Sequence, residues 1–197
     1  MNLLSEKIEH LDVFLASKSP RRQDLLKKII PKFEIISKEI DEIYPEDLKS
    51  SEIAEYLAKL KATAYQDNSS KKNLFITADT IVVFNDKVLG KPKDYDDAFN
   101  MLKSLSGNTH TVYTGVAILH NRNIASFQDS THVTFYELND REIDFYIQNH
   151  QPYDKAGAYG IQEWMGYVGI KKMEGDFFNV MGLPLHLLYR KIEKLFS

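Results

Sequence analysis

Cysteine is missing from this 197-residue chain. That excludes disulfides, thiolate metal sites and a cysteine nucleophile, and makes a reducing cytoplasm the expected setting. A strong excess of either charge is missing too, since 25 Lys+Arg against 28 Asp+Glu leave a formal net charge of -3. A general grip on nucleic acid needs a basic face, so no stable nucleic-acid partner is expected, although a local basic pocket fits this balance. No apolar run approaches the roughly 20 residues of a membrane span, so no membrane association is expected. The opening residues carry Glu6, Lys7 and Glu9 in place of the apolar core of a signal peptide. The histidines, at 10, 110, 120, 132, 150 and 186, lack metal-ligand spacing such as HExxH, and read as ordinary residues. GxSxG, GxxxxGK[ST] and a post-strand GxGxxG are also absent, which leaves serine-triad hydrolases, P-loop NTPases and dinucleotide oxidoreductases poorly supported.

Hydrophobic residues at 43% suffice for one substantial core, and no repeat or Gly/Pro-rich linker divides the chain. The expected organisation is a polar extension over residues 1–12 followed by one domain over 13–197. The richest stretch is VFLASKSPRRQDLLKKII, residues 13–30. Val13–Ala16 reads as a buried strand, Ser19 as a helix N-cap, Pro20 as the first helical residue, and Leu25, Leu26, Ile29 and Ile30 as the helix's inner face. Arg21 and Arg22 then fall in the first turn, where a helix dipole favours anions over cations. Two arginines on a helix are ordinarily a solvated face. Behind a strand–SxSP turn, with serine hydroxyls and free backbone N–H groups beside them, they read as an anion site for phosphates.

Phe33–Ile36 looks like a second strand, and Ser37–Asp47 is an acidic connection holding Glu39, Asp41, Glu42, Glu46 and Asp47. Such a run is either a solvated loop or part of a metal site. A helix capped by Ser50 or Ser51 follows, with Ile53, Leu57, Leu60 and Ala64 inside and Lys59 and Lys61 in its second half. Leu74–Phe84 is a β-branched and aromatic run interrupted by one carboxylate, Asp79. That carboxylate must be paired internally or exposed at a functional break in the strand, because burying it unpaired is costly. Asn85–Lys87 turns the chain, and Gly90 and Pro92 stiffen the backbone around Lys91 so that its amine is aimed. Asp94 caps a helix over Tyr95–Leu105, and His120–Asn123 is a hairpin turn between extended segments. Asn139 and Glu142 open another helix as a capping box. Tyr153–Gln162, with Gly157 and Gly160 among small residues, suggests a tight loop where backbone approaches a ligand or another strand. A second hairpin is expected from Tyr167–Lys172 and Phe177–Met181, and a last helix follows Gly182–Leu183–Pro184.

Cations around one helix start, placed lysines, an acidic loop and an intrusive Asp79 point to hydrolysis of a nucleotide or polyphosphate. At LASKSPRRQDLL (15–26), ADTIVVFNDKVLGKP (78–92), LSGNTHTVYTGVAI (105–118), DKAGAYGIQ (154–162) and FFNVMGLP (177–184), the chain resembles the Maf, or septum-formation-inhibitor-like, nucleotide pyrophosphatases. The resemblance implies a two-lobed single α/β domain around a long mixed sheet flanked by helices, similar to inosine triphosphate pyrophosphatases, with the substrate in a cleft between the lobes. It implies hydrolysis of a nucleoside triphosphate to monophosphate and pyrophosphate with Mg²⁺ or Mn²⁺, as house-cleaning of the nucleotide pool. A homodimer is the family's habit.

By the same resemblance Asp79 is the proton acceptor and, with Glu42, the metal ligand, with Glu39 and Asp41 as rivals to Glu42. Ser17, Arg21, Arg22, Lys61 and Lys91 take the phosphates. Arg21, Thr80 and Gln162 match the branch preferring dTTP and UTP, and a glutamine amide can pair with the O4/N3 edge of a pyrimidine. Relatives continue from that glutamine with glycine and other small residues, whereas this chain has Glu163–Trp164–Met165, which bears on the base preference. The competing readings are a nucleotide- or nucleic-acid-binding regulator of division that has lost catalysis, and a related hydrolase of deaminated purine nucleotides.

Overall fold

The computed structural model describes residues 3–197. Along them run α1 (Leu3–Lys7), β1 (Asp12–Ala16), α2 (Pro20–Ile29), β2 (Glu34–Ile36), α3 (Ser50–Thr63), β3 (Asn73–Phe84), β4 (Lys87–Leu89) and α4 (Tyr95–Leu105). They continue with β5 (Thr109–His120), β6 (Asn123–Phe135), α5 (Asp140–His150), α6 (Trp164–Val168), β7 (Ile170–Glu174), α7 (Phe177–Met181) and α8 (Leu185–Leu195). The strands form one seven-stranded sheet in the order β2-β1-β3-β5-β6-β7, with β4 on β3. β1 is parallel to β2 and β3, whereas β3/β4 and β6/β7 are antiparallel, so the sheet is mixed as expected. No helix among the described residues is long and apolar enough to cross a membrane.

The chain divides into two compact units. The first holds the residues up to Asp79 with Thr114–Asp129 and Gly182–Ser197, and the second holds Thr80–Tyr113 and Ser130–Met181. β3 therefore passes from one unit to the other between Asp79 and Thr80.

In the first unit, Val13, Leu15, Leu74 and Ile76 are buried on parallel strands, the apolar pattern of strands covered on both faces. The inner face of α3 is rotated from the expected one. Ile53, Ala54, Leu57, Ala58 and Ala62 are buried, while Leu60 and Ala64 are only half-buried. The physical reason is close approach to β5. A Cβ at Gly115 would sit 2.2 Å from the Ala54 carbonyl carbon, so alanines and a glycine, not leucines, make this contact. Lys61, one turn beyond Leu57 and Ala58, is carried to the buried side. The expected Ser50 or Ser51 cap is corrected as well: Lys49 is the N-cap and makes no side-chain cap bond. Within the stretch read as a polar extension, α1 buries Leu4, and Ile8 just after it is buried too, with α1 packed on α8. Residues 1 and 2 of that stretch lie outside the described residues.

In the second unit, Ala98, Leu102 and Leu105 of α4 and Ile143, Tyr146 and Ile147 of α5 share a core with Val112, Phe135, Ile161 and Met165. Both helix starts follow the sequence. Asp94 accepts from the Asp97 N–H, and Asn139 and Glu142 form the reciprocal capping box, a feature worth about 1 kcal/mol. Asn85 and Asp86, at φ 49° and 60°, make the two-residue turn between β3 and β4. The hairpin expected from Tyr167–Lys172 and Phe177–Met181 does not form. β7 pairs with β6, and Phe177–Met181 is a helix started by Asp176, whose carboxylate accepts from the Asn179 N–H at 2.9 Å. A short, mostly apolar stretch such as FFNVM can be strand or helix by periodicity alone, and Asp176 is the cap that decides it.

Candidate active site

β1 stops at Ala16 and α2 begins at Pro20, so three residues turn the strand into the helix. Ser19 is the N-cap as expected, but its side chain makes no cap bond. Its N–H donates instead to Ser17 Oγ at 3.3 Å, and that hydroxyl also accepts from Arg22 at 3.4 Å. Gln23 Nε2 donates to the Ser17 carbonyl at 3.4 Å. Arg22 Nε donates to the Gly182 carbonyl at 2.8 Å, which fixes the plane of the guanidinium. Desolvation lowers the Arg22 pKa first. Asp79 pulls it back up, Arg21 lowers it further, and Glu42 raises it, so the fields of these three charges meet at this guanidinium.

Asp79 sits within an unbroken β3, and the sequence alternatives resolve in favour of internal pairing. Thr77 and Asp79 share one face of the strand. The Thr77 hydroxyl donates to the Ala58 carbonyl at 2.6 Å, and Lys61, three residues along the same helix, donates from Nζ to Asp79 Oδ1 at 2.6 Å. The same Nζ lies 2.8 Å from Glu42 Oε1, so Glu42 of the acidic stretch reaches this centre. Two carboxylate oxygens thus converge on one cation, a donor set of the kind that hard divalent ions take.

The structure brings Ser17, Arg21, Arg22, Glu42, Lys61 and Asp79 together within the first unit. Thr80, Lys91 and Gln162 belong to the second unit. Thr80 is half-buried, next in the chain to Asp79. Lys91 is exposed beside a buried Pro92, and its neighbour Gly90 accepts a hydrogen bond from the Gly157 N–H at 3.0 Å. Gly157 has φ 70°, and a Cβ there would lie 3.1 Å from the Val82 side chain, so the small residues of this loop permit approach to a strand. Gln162 keeps Oε1 buried with no hydrogen-bond partner among the described residues. Its main-chain carbonyl accepts from the Tyr167 hydroxyl at 2.8 Å. Trp164 packs edge-on against Phe145 of α5, with ring centroids 5.1 Å apart. Two contributors escaped the sequence reading, the Gly182 carbonyl and Thr77. Gly182 has φ 107°, and a glycine before Leu-Pro was the available signal.

The family model described as "Maf-like protein" matches residues 12–195. The chain belongs to the Maf-like protein family. Maf-like relatives include proteins named "dTTP/UTP pyrophosphatase" from several bacteria. That of Flavobacterium johnsoniae is 47% identical over 193 residues, covering 98% of this chain and 100% of the relative. That of Cytophaga hutchinsonii is 49% identical over 193 residues, covering 96% of this chain and 88% of the relative. Among solved structures the Staphylococcus aureus Ham1 protein superposes with a TM-score of 0.56 at 16% identity, covering 93% of this chain and 99% of that one, a likeness of fold.

Proposed function

We propose that this Maf-like protein is a dTTP/UTP pyrophosphatase, releasing pyrophosphate and leaving the nucleoside monophosphate. The observation that carries the reading is the 47% identity, from end to end, to a relative named for that activity. Its chemistry follows from the residues of the first unit. Arg22, held by Ser17 and Gly182, and Arg21 and Lys61 beside it supply the positive charge that gathers a polyphosphate. Lys91 adds a point charge on a stiffened turn. Asp79 takes the proton of the attacking water as the new P–O bond forms. The anhydride P–O bond between the α and β phosphates breaks, and its electron pair leaves on pyrophosphate. Lys61, bonded to Oδ1, orients that carboxylate.

Glu42 and Asp79 would hold a Mg²⁺ or Mn²⁺ ion, whose contribution when bound is to neutralise phosphate charge. For the base, Gln162 offers the buried Oε1 as acceptor for the N3–H of thymine or uracil and its amide N–H as donor to O4. Cytosine lacks that N3–H and is disfavoured because a buried polar group stays unpaired. Arg21 and Thr80 complete the set assigned to substrate preference.

The test is release of pyrophosphate and of phosphate from dTTP, UTP, CTP, GTP and ITP with Mg²⁺ or Mn²⁺. The reading predicts pyrophosphate, led by dTTP and UTP. Phosphate release would contradict the reaction, and a lead by a purine would contradict the specificity.

A further inference from the structure

Glu163, immediately after Gln162, is tied into a closed ring of hydrogen bonds. Its N–H donates to the Gly160 carbonyl at 3.1 Å, making a four-residue turn with Gln162 at the third position. The Gly160 N–H donates to the Tyr146 hydroxyl at 2.9 Å, and that hydroxyl donates to Glu163 Oε2 at 2.5 Å, closing the ring. The other carboxylate oxygen lies 3.1 Å from Lys155 Nζ, an amine held also by Asp154 at 2.7 Å. Lys155 is only 8% exposed, an unusual place for a lysine unless it is paired. Gly160 is matched to this carboxylate, because a Cβ there would sit 2.7 Å from Glu163 Cδ.

The two ends of the loop from Lys155 to Glu163 are thus pinned to each other, and Tyr146 pins α5 to the loop at Gly160 and Glu163. Beyond the turn, α6 supports it from the far side. The Gly166 N–H donates to the Glu163 carbonyl at 2.9 Å, and a Cβ on Gly166 would collide with the Ile161 carbonyl. Within this frame Gln162 is the residue whose amide oxygen is buried without a partner.

We infer that Glu163 is a positioning residue for base selection, its carboxylate clamping the Lys155 and Tyr146 sides of the loop so that the Gln162 amide is held in one orientation. The inference rests on the dTTP/UTP reading above. A loop free to rotate would let the amide turn over and present its donor where an acceptor is needed, which erodes discrimination between uracil-like and cytosine edges.

The experiment measures kcat/KM for dTTP and for CTP in the full chain carrying Glu163→Ala, Glu163→Gln, Gln162→Ala or the Glu163→Ala/Gln162→Ala pair. Glu163→Ala should lower the dTTP-to-CTP ratio by about tenfold, with KM for dTTP rising more than kcat falls. Glu163→Gln keeps an acceptor for Tyr146 and should hold the ratio within about threefold of the parent. In the Gln162→Ala background the Glu163→Ala change should lower the ratio no further, because the two residues act as one unit. Should Glu163→Ala fail to fold, Tyr146→Phe breaks the ring at one oxygen and should lower the ratio in the same direction. A folded Glu163→Ala or Tyr146→Phe with the parent's ratio, or losses that multiply in the pair, would overturn the inference. A parent protein without a dTTP lead over CTP would instead overturn the proposed base preference, and the inference with it.

Discussion

Lys61 Nζ lies 2.6 Å from Asp79 Oδ1, joining the helix that Gly115 admits against the sheet to the strand that leads into the second unit. The contact is set by register. Thr77 anchors the helix backbone at Ala58, and the next residue on that face of β3 meets the side chain three residues further along α3. With Glu42 at 2.8 Å, the ammonium serves two carboxylates at once. The same residue therefore holds the proposed proton acceptor in place and balances charge around it.

Replacing that cation with an apolar isostere leaves Asp79, whose side chain is 11% exposed, and Glu42 without the ammonium that pairs with both, so that the guanidinium of Arg22 has to offset both carboxylates. Lys61→Met should cost about 3 kcal/mol in urea denaturation, the scale of breaking a largely buried ion pair. Turnover should fall with it, and Mn²⁺ should raise the melting temperature of the variant more than that of the parent, since two oxygen donors are released. A variant as stable as the parent, and indifferent to Mn²⁺, would contradict the charge balance described.

The packing of α3 gives a second prediction at a residue with no polar atoms in its side chain. Gly115→Ala places a methyl 2.2 Å from the Ala54 carbonyl, so α3 must shift and carry Lys61 with it. The expected outcome is destabilisation of about 1–3 kcal/mol, read by denaturation, together with lower turnover. Stability and turnover equal to the parent would show that the helix does not lie against β5 as described.

Much of this was legible in the residues themselves. Asp94 and the Asn139/Glu142 box start their helices by local hydrogen bonding, and Asn85–Asp86 supplies the left-handed pair that a tight hairpin needs, so local chemistry decided those elements. Asp79 announced itself by standing alone in an apolar strand. What stayed hidden depended on neighbours distant in sequence. The rotation of α3 away from Leu60 follows from Gly115 on another strand, and the carbonyl that orients Arg22 comes from Gly182. The helix at Phe177–Met181 was misread because a short apolar run suits either state, and the difference lay in one Asp176 cap. Glu163 showed only as a departure from its relatives; its role needs Tyr146 and Lys155 to be seen beside it.

His110 gives a prediction in pH. It is 2% exposed, with Nε2 2.7 Å from the Tyr159 hydroxyl, and burial pushes its imidazole down from 6.5 to about 4. Between those values the unfolded chain binds a proton that the folded chain refuses. The contribution is therefore fully present above about pH 6.5 and is lost as pH falls toward 4, at about 1.4 kcal/mol per unit. From pH 7 to 5 the parent should lose about 2 kcal/mol more than His110→Gln in urea denaturation. Equal losses in the two proteins would contradict a buried neutral His110.

The most direct measurement is turnover of dTTP with Mg²⁺ by Asp79→Asn, paired with calorimetric titration of the same variant with dTTP. The substitution keeps the shape and an acceptor for Lys61 but removes the base, so pyrophosphate release should fall by about 100-fold or more while the nucleotide still binds. Turnover equal to the parent's would remove Asp79 as the proton acceptor and contradict the account at its centre.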